Sequence, residues 1–167
     1  MADYWKKRQD LLYYKAVDKI VKRVGKKATS LIDVGSHNTT YIDKFHWIAD
    51  RAQLDIVNHN VFIPGVRFIE ADFFNWEPDK KYDLGLCMQV LEHIPDAEAF
   101  ADKLKQTASK LVVSVPYLWE NGKCKEHVHD PVDEEKLFSW MKIEPSYSMI
   151  VTEPFGVSRM IAYYENL

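Results

Sequence analysis

Only two cysteines occur in the 167 residues, Cys87 in an apolar run and Cys124 in a polar one, so no disulfide framework holds the chain and both thiols fit a reducing compartment. Long apolar runs are missing too: none approaches the ~20 residues that a membrane-crossing helix needs. The opening residues carry Tyr4, Trp5, Lys6, Lys7 and Arg8 where a secretory signal requires a smooth apolar core, and a cytoplasmic protein is expected. Neither sign of charge dominates, with 22 Lys and Arg against 25 Asp and Glu and a net charge of −3. Repeats and low-complexity stretches are absent. A complete GxGxxG is also lacking, which disfavours a nicotinamide-dinucleotide site. What remains is one domain, 1–167, long enough for a sizeable core.

Charge is uneven before residue 30, where Lys6, Lys7, Arg8, Lys15, Lys19, Lys22, Arg23, Lys26 and Lys27 face only Asp3, Asp10 and Asp18. A contact with nucleic acid or an anionic surface is one reading; the favoured one is the solvated face of an amphipathic helix. Tyr13, Val17, Ile20 and Val24 recur at helical spacing, with Tyr14 and Val21 alongside, so one side of an N-terminal helix within 1–27 docks on the body of the protein. Gly25 suits its stop.

From there strand and helix signals alternate, which favours a parallel sheet covered on both faces. Strands are expected near Ser30 to Val34, Ala52 to Val57, Arg67 to Glu70, Tyr82 to Met88, Leu111 to Val115, Tyr147 to Pro154 and Arg159 to Tyr164. Asp96 can cap a helix burying Ala97, Phe100, Ala101 and Leu104, and Asp133 one burying Leu137, Trp140 and Met141. The last two strands are joined only by Phe155, Gly156 and Val157, so they form an antiparallel hairpin at the sheet edge.

The stretch LIDVGSHNTTYID, Leu31 to Asp43, carries the first chemical signal. A buried strand holding Asp33 breaks at Gly35, where a glycine lets backbone approach a ligand and a following helix would offer unpaired N–H groups. Asp55 lies about 20 residues on, where open α/β folds hold a ribose diol. Asp50 competes for that position, and the spacing favours Asp55.

The ordered set LIDVGSHN, LDIV, RFIEADFFNW, KYDLGLCMQVLEHIPD and KLVVSVPY resembles class I S-adenosylmethionine-dependent methyltransferases. More narrowly, it resembles the small methyltransferase-domain proteins with a VLEH signature, whose acceptors are mostly metabolites, lipids or glycans. The resemblance implies an α/β fold: a Rossmann-like, seven-stranded, mostly parallel sheet with a C-terminal antiparallel hairpin and helices on both faces. It implies that the turn at Asp33, Gly35, Ser36 and Asn38 holds the methionyl part of S-adenosylmethionine and that Asp55 accepts from both ribose hydroxyls. Asp72 would take the adenine amino group, while Ile56 and Phe73 pack on the ring. Met88, Gln89 and Val90 would border the sulfonium. His37 stands where such families show a second glycine, leaving Asn38 to supply a left-handed turn residue. Phe74 and Trp76 are read as core.

Catalytic candidates are histidines. His93 follows Glu92 in VLEH, where the pair is often structural. His127 and His129 lie in an acceptor-side loop, 116–132, longer and richer in His and acidic residues than a plain connection requires. An imidazole there suits deprotonation of a hydroxyl. Cys124, His127, His129 and Asp130 also have metal-ligand chemistry, but their spacing matches no strong zinc pattern. In-line methyl transfer requires no metal, and none is expected. The function expected is methyl transfer from S-adenosylmethionine to O or N of a small-molecule, lipid or glycan acceptor. The alternative is a protein that binds S-adenosylmethionine or S-adenosylhomocysteine without catalysis. Nucleic acid is not expected as a partner, since the sheet region has no NPPY-like or Pro-Cys motif and no basic stripe beyond the first helix.

Overall fold

A computed structural model describes residues 3–167; the first two residues of the expected N-terminal helix lie outside them. Seven strands form one sheet in the order β3-β2-β1-β4-β5-β7-β6. They are β1 (Ser30–Val34), β2 (Asp50–Asp55), β3 (Val66–Glu70), β4 (Leu84–Met88), β5 (Lys110–Pro116), β6 (Tyr147–Thr152) and β7 (Ser158–Glu165). The pairings β3·β2, β2·β1, β1·β4 and β4·β5 are parallel, whereas β7 inserts antiparallel between β5 and β6.

Side chains alternate across the sheet and build two cores. Ile32, Val34, Cys87, Val113 and Val115 face the helices α3 (Ala97–Thr107) and α4 (Glu134–Met141), meeting Phe100, Leu104, Leu137 and Trp140. Leu31, Leu84, Leu86 and Val112 face the other side, meeting Tyr13, Val17, Ile20 and Val21. Because successive strand residues point oppositely, two apolar layers require a run buried throughout, as in β1. Asp96 and Asp133 cap α3 and α4 by accepting from Ala99 N and Lys136 N, at 3.0 and 2.8 Å.

The N-terminal segment is two helices rather than one, α1 (Asp3–Arg8) and α2 (Leu12–Val24). The break has a distant cause: the buried Glu153 carboxylate accepts from Leu12 N at 2.9 Å and Tyr13 N at 3.1 Å. It thereby caps α2 where Leu11 is extended and offers no side-chain cap. Charge-assisted bonds of this kind contribute about 1.5–3 kcal/mol each and tie the chain's start to its closing hairpin. Strand and helix do not alternate throughout. No helix joins β2 to β3 or β3 to β4, and between β1 and β2 there is only a short 3-10 turn at Tyr41–Phe45. Expected β4 residue Tyr82 makes only an isolated bridge to Ala108. Among the described residues, no helix is long and apolar enough to cross a membrane.

Candidate functional site

A cleft of about 710 Å³ opens at the carboxyl ends of β1, β2 and β4. Its first wall is the turn after β1, pinned when Gly35 N and Ser36 N both donate to Leu54 O, at 2.8 and 3.3 Å. Gly35 has φ +75°, and a Cβ there would sit 2.5 Å from Val90 Cγ2, so glycine is required by conformation and by space. The other left-handed residue is His37, at φ 48°, rather than Asn38. Asn38 does not line the cleft; its Oδ1 lies 2.8 Å from His37 Nδ1 and locks the turn instead. Because a 3-10 turn follows, no α-helix N-terminus points into the cleft from this wall, and the cradle consists of turn backbone and side chains. Ser36 Oγ is buried there without a hydrogen-bond partner. Burial pushes the Asp33 carboxyl up to about 7, helped by the nearby charge of Asp55 and opposed by a hydrogen bond with Gln53.

Asp55 closes β2 facing the same space. Its Oδ2 accepts from His37 N at 2.7 Å and its Oδ1 from Val57 N at 3.1 Å, leaving lone pairs on both oxygens for a diol. Asp50, its rival, does not line the cleft: it opens β2 at the opposite end and pairs with Lys80. Ile56 lines the cleft at 67% exposure. Asp72 lines it as well while holding a turn, accepting from Phe74 N at 3.0 Å and Asn75 Nδ2 at 2.7 Å. Phe73 is buried with its ring 4.6 Å from that of Phe100. Phe74, expected in the core, is instead an exposed lining residue, because the Asp72 turn directs it outward. Trp76 packs on the core.

At the end of β4, Met88, Gln89 and Val90 line the cleft. Gln89 has φ 58° and is tied three ways: N to Ser114 O at 2.8 Å, Nε2 to Ser114 Oγ at 3.1 Å, and Oε1 accepting from Arg159 Nε at 3.2 Å. Arg159, from β7, is a buried cation that sequence reading missed. Its guanidinium lies 4.6 Å from the Tyr13 ring centre and 5.5 Å from that of Trp119, with Nη1 3.8 Å from Glu153 Oε1. Aromatic faces attract such a cation. An arginine inside an otherwise apolar strand was the available signal. Tyr13, Tyr14 and Arg8 also line the cleft, so the N-terminal segment forms a wall as well as a docking face.

The far end is built by the loop between β5 and α4 folding onto the 3-10 turn Leu91–His93. Val128 N donates to Glu92 O at 2.9 Å, and His93 Nδ1 lies 3.0 Å from Glu126 O. His127 Nδ1 lies 2.7 Å from Asp130 Oδ2, both side chains buried, and its ring stacks on Trp119 at 5.5 Å. His93 meets His127 edge-on at 4.7 Å, and both line the cleft. Burial holds the His93 imidazole below its usual range. His129 is not brought to them. Its Nε2 is 2.8 Å from Ile94 O and its ring packs on Trp140, outside the cleft lining. The expected ligand types Cys124, His127, His129 and Asp130 are therefore not gathered. Glu92, His93 and His127 are: one ligand atom from each lies within 4.8 Å of the others. Burial pushes the Glu92 carboxyl up to about 8.

No family model and no curated protein matches the sequence. Solved structures do match. The N-methyltransferase NodS from Bradyrhizobium japonicum WM9, in complex with S-adenosylhomocysteine, superposes at TM-score 0.73 with 12% identity over 97% of this chain and 91% of that one. The 1,6-didemethyltoxoflavin-N1-methyltransferase of Burkholderia thailandensis gives 0.72 with 15% identity over 97% and 83%. Magnesium protoporphyrin IX methyltransferase from Synechocystis PCC 6803, with S-adenosylmethionine bound, gives 0.66 with 17% identity over 92% and 79%. The strand order with its antiparallel insertion and these superpositions show that the chain has the fold of the class I S-adenosylmethionine-dependent methyltransferases.

Proposed function

We propose that the protein transfers a methyl group from S-adenosylmethionine to an oxygen or nitrogen of a small-molecule, lipid or glycan acceptor. The observation that carries this reading is the continuity of one cleft, from Gly35, Asp55 and Asp72 to His93 and His127. The residues fit the cofactor: Ser36 Oγ is a buried polar atom lacking a partner, and Asp55 keeps acceptor capacity on both oxygens. Asp55 would hold the ribose diol and Asp72 the adenine amino group, with Ile56, Phe73 and Phe74 around the ring. Gly35, Ser36, Met88, Gln89 and Val90 would surround the methionyl end. When bound, the cofactor supplies an electrophilic methyl on its sulfonium.

The rest of the work is positioning. Gln89, fixed by Ser114 and Arg159, sets the β4 end, while Trp119 and the histidines wall the acceptor so that its nucleophilic atom meets the methyl in line. A small acceptor fits the cleft better than nucleic acid, because of the basic residues before residue 30 only Arg8 lines it. The free thiols of Cys87 and Cys124 suit a cytoplasmic setting.

Calorimetry with S-adenosylhomocysteine and with a nicotinamide dinucleotide, followed by transfer of labelled methyl into pools of metabolites, lipids and glycans, tests the reading. Binding of the first alone, with label appearing in an acceptor, is expected. A preference for the dinucleotide overturns the reading; binding without label in any pool points instead to a non-catalytic binding protein.

A further inference from the structure

We propose that Glu92, His93 and His127 form a three-ligand site for one divalent transition-metal cation, with a remaining coordination position open to the cleft. Three independent features converge on it. The first is proximity: the ligand atoms lie within 4.8 Å of one another, and His93 Nε2 is 4.0 Å from Glu92 Oε1. Zinc bond lengths near 2.0–2.2 Å place tetrahedral ligand atoms roughly 3.3–3.5 Å apart, so this pair needs to close by only about half an ångström.

The second is Glu92 itself. Its side chain is fully buried, it lines the cleft, and neither carboxylate oxygen has a hydrogen-bond partner. A bare buried carboxylate is costly, and protonation alone leaves an O–H with nothing to donate to. A cation between it and the two imidazoles removes the deficit.

The third is the orientation of both rings. His93 Nδ1 faces the Glu126 carbonyl and His127 Nδ1 faces the Asp130 carboxylate. Acceptors at Nδ1 make it the protonated nitrogen in each ring and leave the Nε2 lone pair for coordination, the arrangement that orients metal-bound histidines elsewhere. Two imidazoles and one carboxylate suit Zn²⁺ or a neighbouring first-row ion. The open position takes an oxygen of the acceptor; this part rests on the methyltransferase reading. A hydroxyl coordinated there has its O–H bond weakened, and the proton leaves to solvent while the oxygen stays on the cation as the nucleophile.

The full chain, stripped with a chelator and dialysed against Zn²⁺, tests the site by elemental analysis, with Co²⁺ substitution giving the visible spectrum of the coordination. One equivalent per chain is expected. Glu92→Gln and His127→Ala lower the affinity at least about 100-fold, and Asp130→Asn, which frees the His127 ring, about 10–100-fold. Cys124→Ser and His129→Gln retain the ion. His93→Ala provides a second ligand deletion should Glu92→Gln fail to fold, and circular dichroism establishes the fold of each variant. Absence of stoichiometric Zn²⁺ in the wild type, or retention in folded ligand variants, overturns the proposal. S-adenosylhomocysteine affinity of metal-free protein is measured alongside. S-adenosylhomocysteine binding by a chain that takes up no Zn²⁺ defeats the metal site only; Zn²⁺ uptake without S-adenosylhomocysteine binding defeats the methyltransferase reading only.

Discussion

The two ends of the cleft are built from different materials. At the end formed by β1, β2 and the Asp72 turn, the carboxylates of Asp55 and Asp72 already accept backbone N–H groups, and the walls are short local turns. At the other end, Glu92, His93 and His127 are held by a loop that returns across the sheet, with His93 and Glu126 33 residues apart. Backbone geometry shapes the first end and buried side-chain polarity the second. The first should therefore tolerate removal of a side chain with loss of affinity alone, whereas the second should lose rate.

The largest contrast is predicted there. His127→Ala slows methyl transfer by roughly 10²–10⁴-fold, the range for losing assistance to the acceptor's deprotonation, which the ring gives by holding the cation, while S-adenosylhomocysteine affinity stays near wild type. His129→Gln leaves the rate within a few-fold, since that ring lies outside the cleft lining. Initial rates with saturating cofactor separate the two. Equal losses in both variants would dissolve the distinction between the ends.

Gly35→Ala attacks the opposite end through its backbone. The added methyl meets Val90 Cγ2 at 2.5 Å from a left-handed residue, and overpacking with strain of this kind costs about 1–3 kcal/mol. Thermal unfolding should register that cost, with weakened cofactor binding in calorimetry.

Asp55→Ala is milder for the fold. It weakens S-adenosylhomocysteine binding by about 1–3 kcal/mol, the cost of leaving hydrogen-bonding groups unmatched. Asp50→Ala leaves binding unchanged, its carboxylate being paired with Lys80 at the far end of β2.

How far these ends were readable from the sequence follows from the same contrast. Asp33, Gly35, Asp55 and Asp72 were legible as cleft residues because each lies close to the end of a strand or in the turn that follows it, where the neighbouring residues announce the break. Even there, the left-handed position fell on His37 rather than Asn38, since the missing second glycine left two adjacent residues able to take it. Arg159 was hidden because its partners Tyr13, Gln89, Trp119 and Glu153 come from four separate segments. The gathering of Glu92 with His127 was hidden for a similar reason: loop spacing alone put His127 beside His129. Only the bonds from Val128 N to Glu92 O and from His129 to Ile94 O sort the two rings into different environments. The break between α1 and α2 depends on Glu153, 141 residues from Leu12.

A separate effect concerns pH. The folded Asp33 carboxyl, pushed up to about 7 from 3.8, binds its proton more tightly folded than unfolded. Its contribution to stability is complete below the unfolded value and is lost as pH rises through the folded one. Between pH 5 and 7 the ligand-free wild type should lose on the order of 1.4 kcal/mol per pH unit relative to Asp33→Asn. Urea unfolding at several pH values checks this, and the difference between the two curves cancels the contribution of groups that do not interact with Asp33. A pH-independent difference would place Asp33 in a solvated environment.

The central claim, one cleft with a cofactor end and an acceptor end, is tested most directly by a crystal structure of the chain with S-adenosylhomocysteine. The account predicts ribose hydroxyls on Asp55, adenine at Asp72 and Phe74, and the sulfur beside Met88 and Gln89, pointing toward His93 and His127. A ligand whose sulfur points away from the histidines, or which lies outside the cleft, would contradict it.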